Sequence, residues 1–224
     1  MQAIDPPRGS PLGQITDITN ISGNDSISYL KGIDGYPAFL IKRNANIQKP
    51  AAAFLTTLPD DFAILITVIP SDDLGGFLFS VVNPASTIIQ LGVSLSPSSS
   101  EGMMDIKLYY TDYRKSETSE VLVRFSVPSF VHQWTSIGLK IKNDVVTLYM
   151  DCMEYSRSET TGRKRGLRFD SGSSLFIGRG PIQNEKSFAV SCSRSDGLCI
   201  LDVYFSILTH RITTSNSSVL KCAL

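Results

Sequence analysis

Residues 134–152 read Trp-Thr-Ser-Ile-Gly-Leu-Lys-Ile-Lys-Asn-Asp-Val-Val-Thr-Leu-Tyr-Met-Asp-Cys, and this stretch decides the fold of the chain. Two runs of alternating apolar and polar residues flank Asn143 and Asp144. These two residue types tolerate the positive φ angles of a tight two-residue hairpin turn. The stretch therefore predicts a β-hairpin, and the turn fixes its register.

The predicted register gives the hairpin one apolar face. The expected cross-strand pairs are Ile141 with Val146, Leu139 with Leu148, Ile137 with Met150, and Thr135 with Cys152. A slip of one residue would turn Lys140 and Lys142 into the core, so the hydrophobic pattern and the turn agree. Because a two-stranded hairpin with one apolar face is not stable alone, a second sheet must cover it.

The rest of the chain supplies short apolar runs separated by turn residues. Residues 62–69 are apolar on both faces, which predicts a central strand covered on both sides. Further strands are predicted over 77–82, 88–96, 105–110 and 121–127, and in the last of these Val121, Val123, Phe125 and Val127 are expected to point inward. Without a convincing amphipathic helix, this pattern predicts an all-β fold of two packed antiparallel sheets.

Composition narrows the classes of partner. The 224 residues suffice for one large β domain, and 21 basic residues balance 21 acidic ones. The net charge of the chain therefore does not attract nucleic acid or a membrane surface, and binding to a polyanion must come from a local cluster of basic residues. No run is long enough to insert into a membrane, and the first residues do not resemble a secretory signal, so the chain is either intracellular or incomplete at its N-terminus.

Four cysteines and two N-glycosylation sequons indicate whether the protein is in an oxidising, extracellular compartment or inside the cell. The spacing of Cys152, Cys192, Cys199 and Cys222 matches no zinc pattern, and the even count suits an oxidised protein with three possible pairings. Free buried thiols are the alternative. The candidate glycosylation sites are Asn20 and Asn24.

Several ordered phrases carry a family resemblance. They include Gly35-Tyr-Pro-Ala-Phe39, Asp61-Phe-Ala-Ile64, Gly75-Gly-Phe-Leu-Phe79, Leu91-Gly-Val-Ser-Leu-Ser96, Leu108-Tyr-Tyr-Thr111, Phe125-Ser-Val-Pro128, Gln133-Trp134, Val146-Thr-Leu-Tyr149, Asp151-Cys-Met-Glu154 and Gly166-Leu-Arg-Phe169. In these phrases the chain resembles the thrombospondin N-terminal-like, laminin-G-type domain, in the form found at the amino end of the multiplexin collagens, types XV and XVIII. The resemblance implies a concanavalin-like jelly-roll sandwich in a secreted, non-catalytic module of the extracellular matrix.

The resemblance also implies that Cys152 pairs with a cysteine near the end of the domain, and that trimers form only through collagenous segments that this chain lacks. The first residues are polar and rich in Pro, Gly, Ser and Asn, which predicts a flexible lead-in over 1–30, while the resemblance predicts the domain over 31–190 and a divergent tail over 191–224. The matching phrases stop just past Phe188. Residues 198–208 of the tail are apolar enough to form a substitute last strand.

A basic run is the sharpest local signal of function. Its five cations fall within twelve positions, and they are Arg157, Arg163, Lys164, Arg165 and Arg168. Clustered cations release counterions from a polyanion, so the run predicts binding of sulfated glycosaminoglycans such as heparin or heparan sulfate. A solvated loop between strands is the alternative interpretation.

No motif predicts catalysis or a cofactor. A glycosidase would need two carboxylates alternating along one strand, and no strand has them. A calcium site could draw oxygens from Asp60, Asp61, Asp72 and Asp73, which would make the chain a calcium-dependent carbohydrate-binding lectin. The sequence favours a non-enzymatic matrix module that contacts matrix proteins and sulfated glycosaminoglycans, with the lectin as the alternative.

Overall fold

Two antiparallel β-sheets packed face to face make up the fold in a computed structural model. The structure describes residues 12–14, 27–31, 37–41, 47–53, 57–112, 117–160, 167–180 and 199–206, and gives only the backbone of 12–14, 27–31, 37–40, 53 and 199–206. These residues contain fourteen strands, one turn of 3-10 helix (Ala51–Ala53) and no α-helix. The predicted all-β jelly-roll sandwich is confirmed.

The larger sheet has eight strands. Their bounds are β1 (Leu12–Gln14), β2 (Ile27–Lys31), β3 (Pro37–Ile41), β5 (Phe62–Ile69), β10 (Thr135–Lys142), β11 (Val145–Met150), β12 (Met153–Glu159) and β14 (Cys199–Ser206). The order is β12-β11-β10-β5-β14-β3-β2, and β1 also pairs with β14. One edge of this sheet is therefore β12.

The smaller sheet has six strands. Their bounds are β4 (Ile47–Pro50), β6 (Gly76–Val82), β7 (Ile89–Pro97), β8 (Met103–Tyr110), β9 (Val121–Pro128) and β13 (Ser174–Ile177). The order is β4-β13-β6-β7-β8-β9. Three consecutive strands, β7, β8 and β9, thus form one half of the sheet and end at the edge strand β9.

The hairpin β10–β11 has the predicted register over its first three pairs. Ile141 lies opposite Val146, and the turn residues Asn143 and Asp144 have φ angles of 48° and 62°. The fourth predicted pair, Thr135 with Cys152, is wrong. Asp151 and Cys152 also have positive φ angles, 47° and 71°, and form the next tight turn, so Cys152 leaves the ladder.

One core fills the space between the sheets. In β5 the side chains of Phe62, Ile64, Ile66 and Val68 face this core, and seven of the eight residues of the strand are buried, as predicted for a central strand. The inward prediction for Val121 is wrong, because that side chain is 42% exposed. The β8–β9 ladder shifts register between Leu108 and Tyr109, which rotates the start of β9 away from the core.

Strand β14 lies inside the larger sheet. It pairs with β5 over 200–206 and with β3 over 199–201. Two of the strands, β1 and β2, fall largely within the segment for which the sequence predicts a lead-in.

Candidate functional site

Arg157, the first cation of the basic run, lies on the edge strand β12. Its guanidinium donates two hydrogen bonds to the carboxylate of Glu154, Nε to Oε1 at 2.6 Å and Nη2 to Oε2 at 2.7 Å. The side chain of Arg157 is nevertheless 65% exposed. Because Glu154 already neutralises it, Arg157 offers a polyanion less attraction than a free arginine would.

The pair shifts the acidity of both groups. The hydrogen bond from Arg157 lowers the pKa of Glu154, and the charges of Arg157 and Lys140 lower it further. The same hydrogen bond raises the pKa of Arg157. Lys140 belongs to the same surface, since Lys140 of β10 and Arg157 of β12 both lie opposite Thr147 of β11.

The rest of the basic run falls in the connection from β12 to β13. Arg163, Lys164 and Arg165 lie outside the described residues, and Arg168 is exposed and forms an isolated bridge with Thr57. The described residues at either end of the gap are anchored near the start of β5. Thr160 donates its backbone N–H to Asp144 O at 2.7 Å, and Leu167 O accepts from Leu58 N at 2.7 Å.

The predicted disulfide residues are only partly described. Cys152 is disulfide-bonded, and it lines a shallow surface depression with Leu65 and Thr67 of β5. For Cys199 the backbone alone is described, at the start of β14. Cys192, Cys222 and the glycosylation candidates Asn20 and Asn24 lie outside the described residues.

The acidic turns bond to the backbone. Asp61 Oδ1 accepts from Asn143 N at 3.2 Å, and Asp72 Oδ1 accepts from Leu74 N at 3.1 Å. Within the described ranges, no three His, Cys, Asp or Glu side chains are grouped so that they could hold a metal ion. In the same ranges no helix is long and apolar enough to span a membrane.

A second group of polar residues, which sequence reasoning missed, lies on the outer face of the smaller sheet. Ile106 and Leu108 of β8 belong to the core, so Asp105, Lys107 and Tyr109 alternate with them on the opposite face. Arg124 of β9 lies opposite Lys107, and its Nε is 3.8 Å from Asp105 Oδ2. The alternation in 105–109 was visible in the sequence, whereas the addition of Arg124 depends on strand pairing.

The chain is related to a known collagen over part of its length. Over 117 residues, 52% of this chain and 7% of the relative, it is 35% identical to the human collagen alpha-1(XVIII) chain. Over this stretch the chain is therefore similar to a collagen XVIII chain. The predicted relationship to a multiplexin collagen is confirmed, although the match spans only 7% of that collagen. No family model matches the sequence.

Solved structures with low sequence identity share the fold. The receptor-binding domain of botulinum neurotoxin C/D mosaic serotype superposes with a TM-score of 0.51 at 8% identity, covering 80% of this chain and 41% of that one. The K499G mutant of NanB sialidase from Streptococcus pneumoniae gives 0.50 at 10% identity, covering 75% and 25%. At these identities the likeness shows the fold alone.

Proposed function

We propose that this chain is a thrombospondin N-terminal-like, laminin-G-type module of a collagen, secreted into the extracellular matrix. The single observation that carries this proposal is the 35% identity to collagen XVIII over 117 residues. The two-sheet sandwich supports it, because loops and faces held by such a scaffold commonly carry binding residues. The role is structural and adhesive, without catalysis, and the partners are matrix proteins and sulfated glycosaminoglycans.

The connection that carries the basic run supports the glycosaminoglycan part. Thr160 is hydrogen-bonded to Asp144 in the β10–β11 turn, and Leu167 is hydrogen-bonded to Leu58, just before β5. Both anchors lie at one end of the sandwich, because Asp144 follows β10, whose Ile141 pairs with Phe62 at the start of β5. Both ends of the segment whose sequence contains Arg163, Lys164 and Arg165 are therefore anchored at this end.

Exposed Lys142 and Arg168 add positive charge at the same end. Cations concentrated at one end let a polyanion release several counterions at once, although the net charge of the chain is zero.

Heparin-affinity chromatography tests this assignment. Substituting Arg163, Lys164 and Arg165 together by Ala is expected to lower the salt concentration at which the protein elutes, because fewer counterions are released. Arg168→Ala should lower it as well. Arg124→Ala removes the same single charge from an exposed arginine of the smaller sheet, and should lower the elution less than Arg168→Ala does. An unchanged elution of the triple variant would show that the run does not bind the glycan.

The secreted setting predicts oxidised cysteines and glycans at Asn20 and Asn24. Peptide mass analysis of protein expressed through the secretory pathway, without reduction, would map both. Free thiols at all four cysteines together with unmodified asparagines would contradict an extracellular location.

A further inference from the structure

Three adjacent strands form a polar surface on the outer face of the smaller sheet. Its residues lie in three rows across β7, β8 and β9, namely Gly92, Tyr109 and Val121, then Ser94, Lys107 and Arg124, then Ser96, Asp105 and Ser126. We refer to these nine residues as the β8 surface. From Tyr109 to Asp105 it extends about 13 Å along the strand, and from β7 to β9 it is about 10 Å wide.

One row of the β8 surface contains a buried hydroxyl beside a buried carboxylate. Asp105 is only 6% exposed, and among the described residues its charged partner is Arg124, at 3.8 Å. Ser96, directly opposite in the ladder, has a buried hydroxyl oxygen without a hydrogen bond to the described residues. The Ser96 hydroxyl has no accessible surface for a ligand to reach, whereas the side chain of Asp105 is 9% exposed and can accept hydrogen bonds from the hydroxyls of a ligand.

The middle row carries an excess of positive charge. Lys107 and Arg124 lie side by side, and Asp105 supplies one negative charge next to them. Burial lowers the pKa of Lys107, and the charge of Arg124 lowers it further, while Asp105 acts in the opposite direction. A ligand with one negative charge near Lys107 would offset this repulsion.

The third row offers an aromatic ring. Tyr109 is half-buried, and its ring packs against Phe77 with centroids 5.3 Å apart. Gly92 lies opposite Tyr109, and across it the ring packs on a buried cluster of Phe77, Val82, Ile89 and Phe176, which leaves the remaining, exposed part of the ring for a ligand. A rigid ring beside convergent polar groups is the usual composition of a small-molecule site, and its apolar face suits the carbon-bound hydrogens of a sugar ring.

We propose that the β8 surface binds an acidic saccharide with a single carboxylate per disaccharide. The carboxylate would bind Lys107 and Arg124, the hydroxyls would donate to Asp105, and one ring would pack on Tyr109. A heavily sulfated chain fits less well, because Asp105 repels additional negative charge. This site is separate from the basic run, since it lies on the other sheet, and it requires no metal ion.

Nuclear magnetic resonance titration of the whole chain tests the proposal. The probes are a hyaluronan tetrasaccharide, a heparin tetrasaccharide and the neutral chitotetraose. Saturable shifts in the amides of β8 and β9 are expected with hyaluronan, with weaker or no shifts for chitotetraose. Lys107→Gln should weaken hyaluronan binding about tenfold, because it removes one charge-assisted contact. Lys140→Gln is the matched control, because Lys140 is a half-buried, outward-facing lysine on the other sheet. This variant should leave the affinity for hyaluronan unchanged.

Asp105→Asn should change the affinities for hyaluronan and heparin in opposite directions, which loss of structure would not do. It should weaken hyaluronan binding, because a strong acceptor is lost, and strengthen heparin binding at the same amides, because a repulsive charge is removed. The proposal would be overturned if folded Asp105→Asn lost affinity for both probes, or if wild type showed no saturable shifts. Equal effects of Lys107→Gln and Lys140→Gln on hyaluronan binding would also overturn it. None of these results bears on Arg163, Lys164 and Arg165, so the two proposals fail independently.

Discussion

Glu154 and Arg157 share one face of the edge strand β12 and are joined by two hydrogen bonds of 2.6 and 2.7 Å. Residues three apart on a regular strand point to opposite faces. Here the β11–β12 ladder shifts between Leu148 and Tyr149, so that Tyr149 lies opposite Glu154 and Thr147 opposite Arg157. The shift brings both side chains to the outer face, and the arginine of the basic run is neutralised within the domain.

Releasing Arg157 should strengthen heparin binding. Glu154→Gln removes the carboxylate that occupies the guanidinium, so the protein is expected to elute from heparin at a higher salt concentration than wild type. Glu159→Gln is the control, because Glu159 is an exposed carboxylate on the same strand. Glu159→Gln removes the same charge without releasing Arg157, so it should raise the eluting salt concentration less than Glu154→Gln does. Equal shifts would mean that only net charge matters.

The same pair predicts a pH dependence. Arg157 lowers the pKa of Glu154 below its ordinary value of 4.5, so the pair is present above pH 4.5 and is lost only as the pH falls through the lowered pKa. The difference in heparin elution between wild type and Glu154→Gln should therefore stay constant above this pH and disappear at lower pH. A difference that disappeared near neutral pH would contradict the assignment.

Two glycines with similar backbone angles should respond differently to substitution. Gly75 and Gly102 have φ angles of 78° and 71°, but a Cβ on Gly75 would lie 2.5 Å from Leu95 O, whereas a Cβ on Gly102 would meet nothing within 4 Å. Gly102→Ala is expected to cost only the left-handed strain, about 1–2 kcal/mol. Gly75→Ala adds a clash with a backbone oxygen and should cost about 3 kcal/mol or more. Urea unfolding of both variants measures the difference, and equal losses would contradict the close approach of Gly75 to the backbone of β7.

The position of Cys152 indicates on which side of the sheet its disulfide partner lies. Two strands, β10 and β5, lie between β11, which precedes Cys152, and β14, which begins at Cys199. At about 4.8 Å per strand β11 and β14 are about 14 Å apart, but Cys152 has left the ladder and lies against Leu65 and Thr67 of β5, the neighbour of β14. We therefore expect Cys152 to bond a cysteine at or beyond this side of the sheet, and the candidates are Cys192, Cys199 and Cys222.

Non-reducing peptide mass analysis would identify the cysteine that is bonded to Cys152. Cys152→Ser should lower the free energy of unfolding by about 2–4 kcal/mol, because the unfolded chain is then less restricted. Serine at the partner cysteine should cost the same, and a Cys152→Ser variant as stable as wild type would contradict the bond.

Alternation of apolar and polar residues, together with turn residues, correctly predicted those strands and turns that are determined by residues close together in sequence. The pairing of Leu139 with Leu148 followed from two turn residues and a two-residue alternation, because a slip would bury lysines. The same reasoning failed at Val121, where the ladder shifts register and leaves the side chain 42% exposed. A shift in register depends on the partner strand, which a single strand's sequence does not contain.

For the candidate sites too, some features follow from the local sequence and others from the pairing of strands. The sequence by itself determined the all-β sandwich, its central strand and the position of the basic run, because alternation, turns and charge spacing are local properties of the chain. Only the tertiary structure decided that Glu154 neutralises Arg157 and that Arg124 lies beside Lys107 and Asp105. These contacts arise between strands, where register and bulges set which side chains share a face, and both are fixed by the packing of the whole sheet.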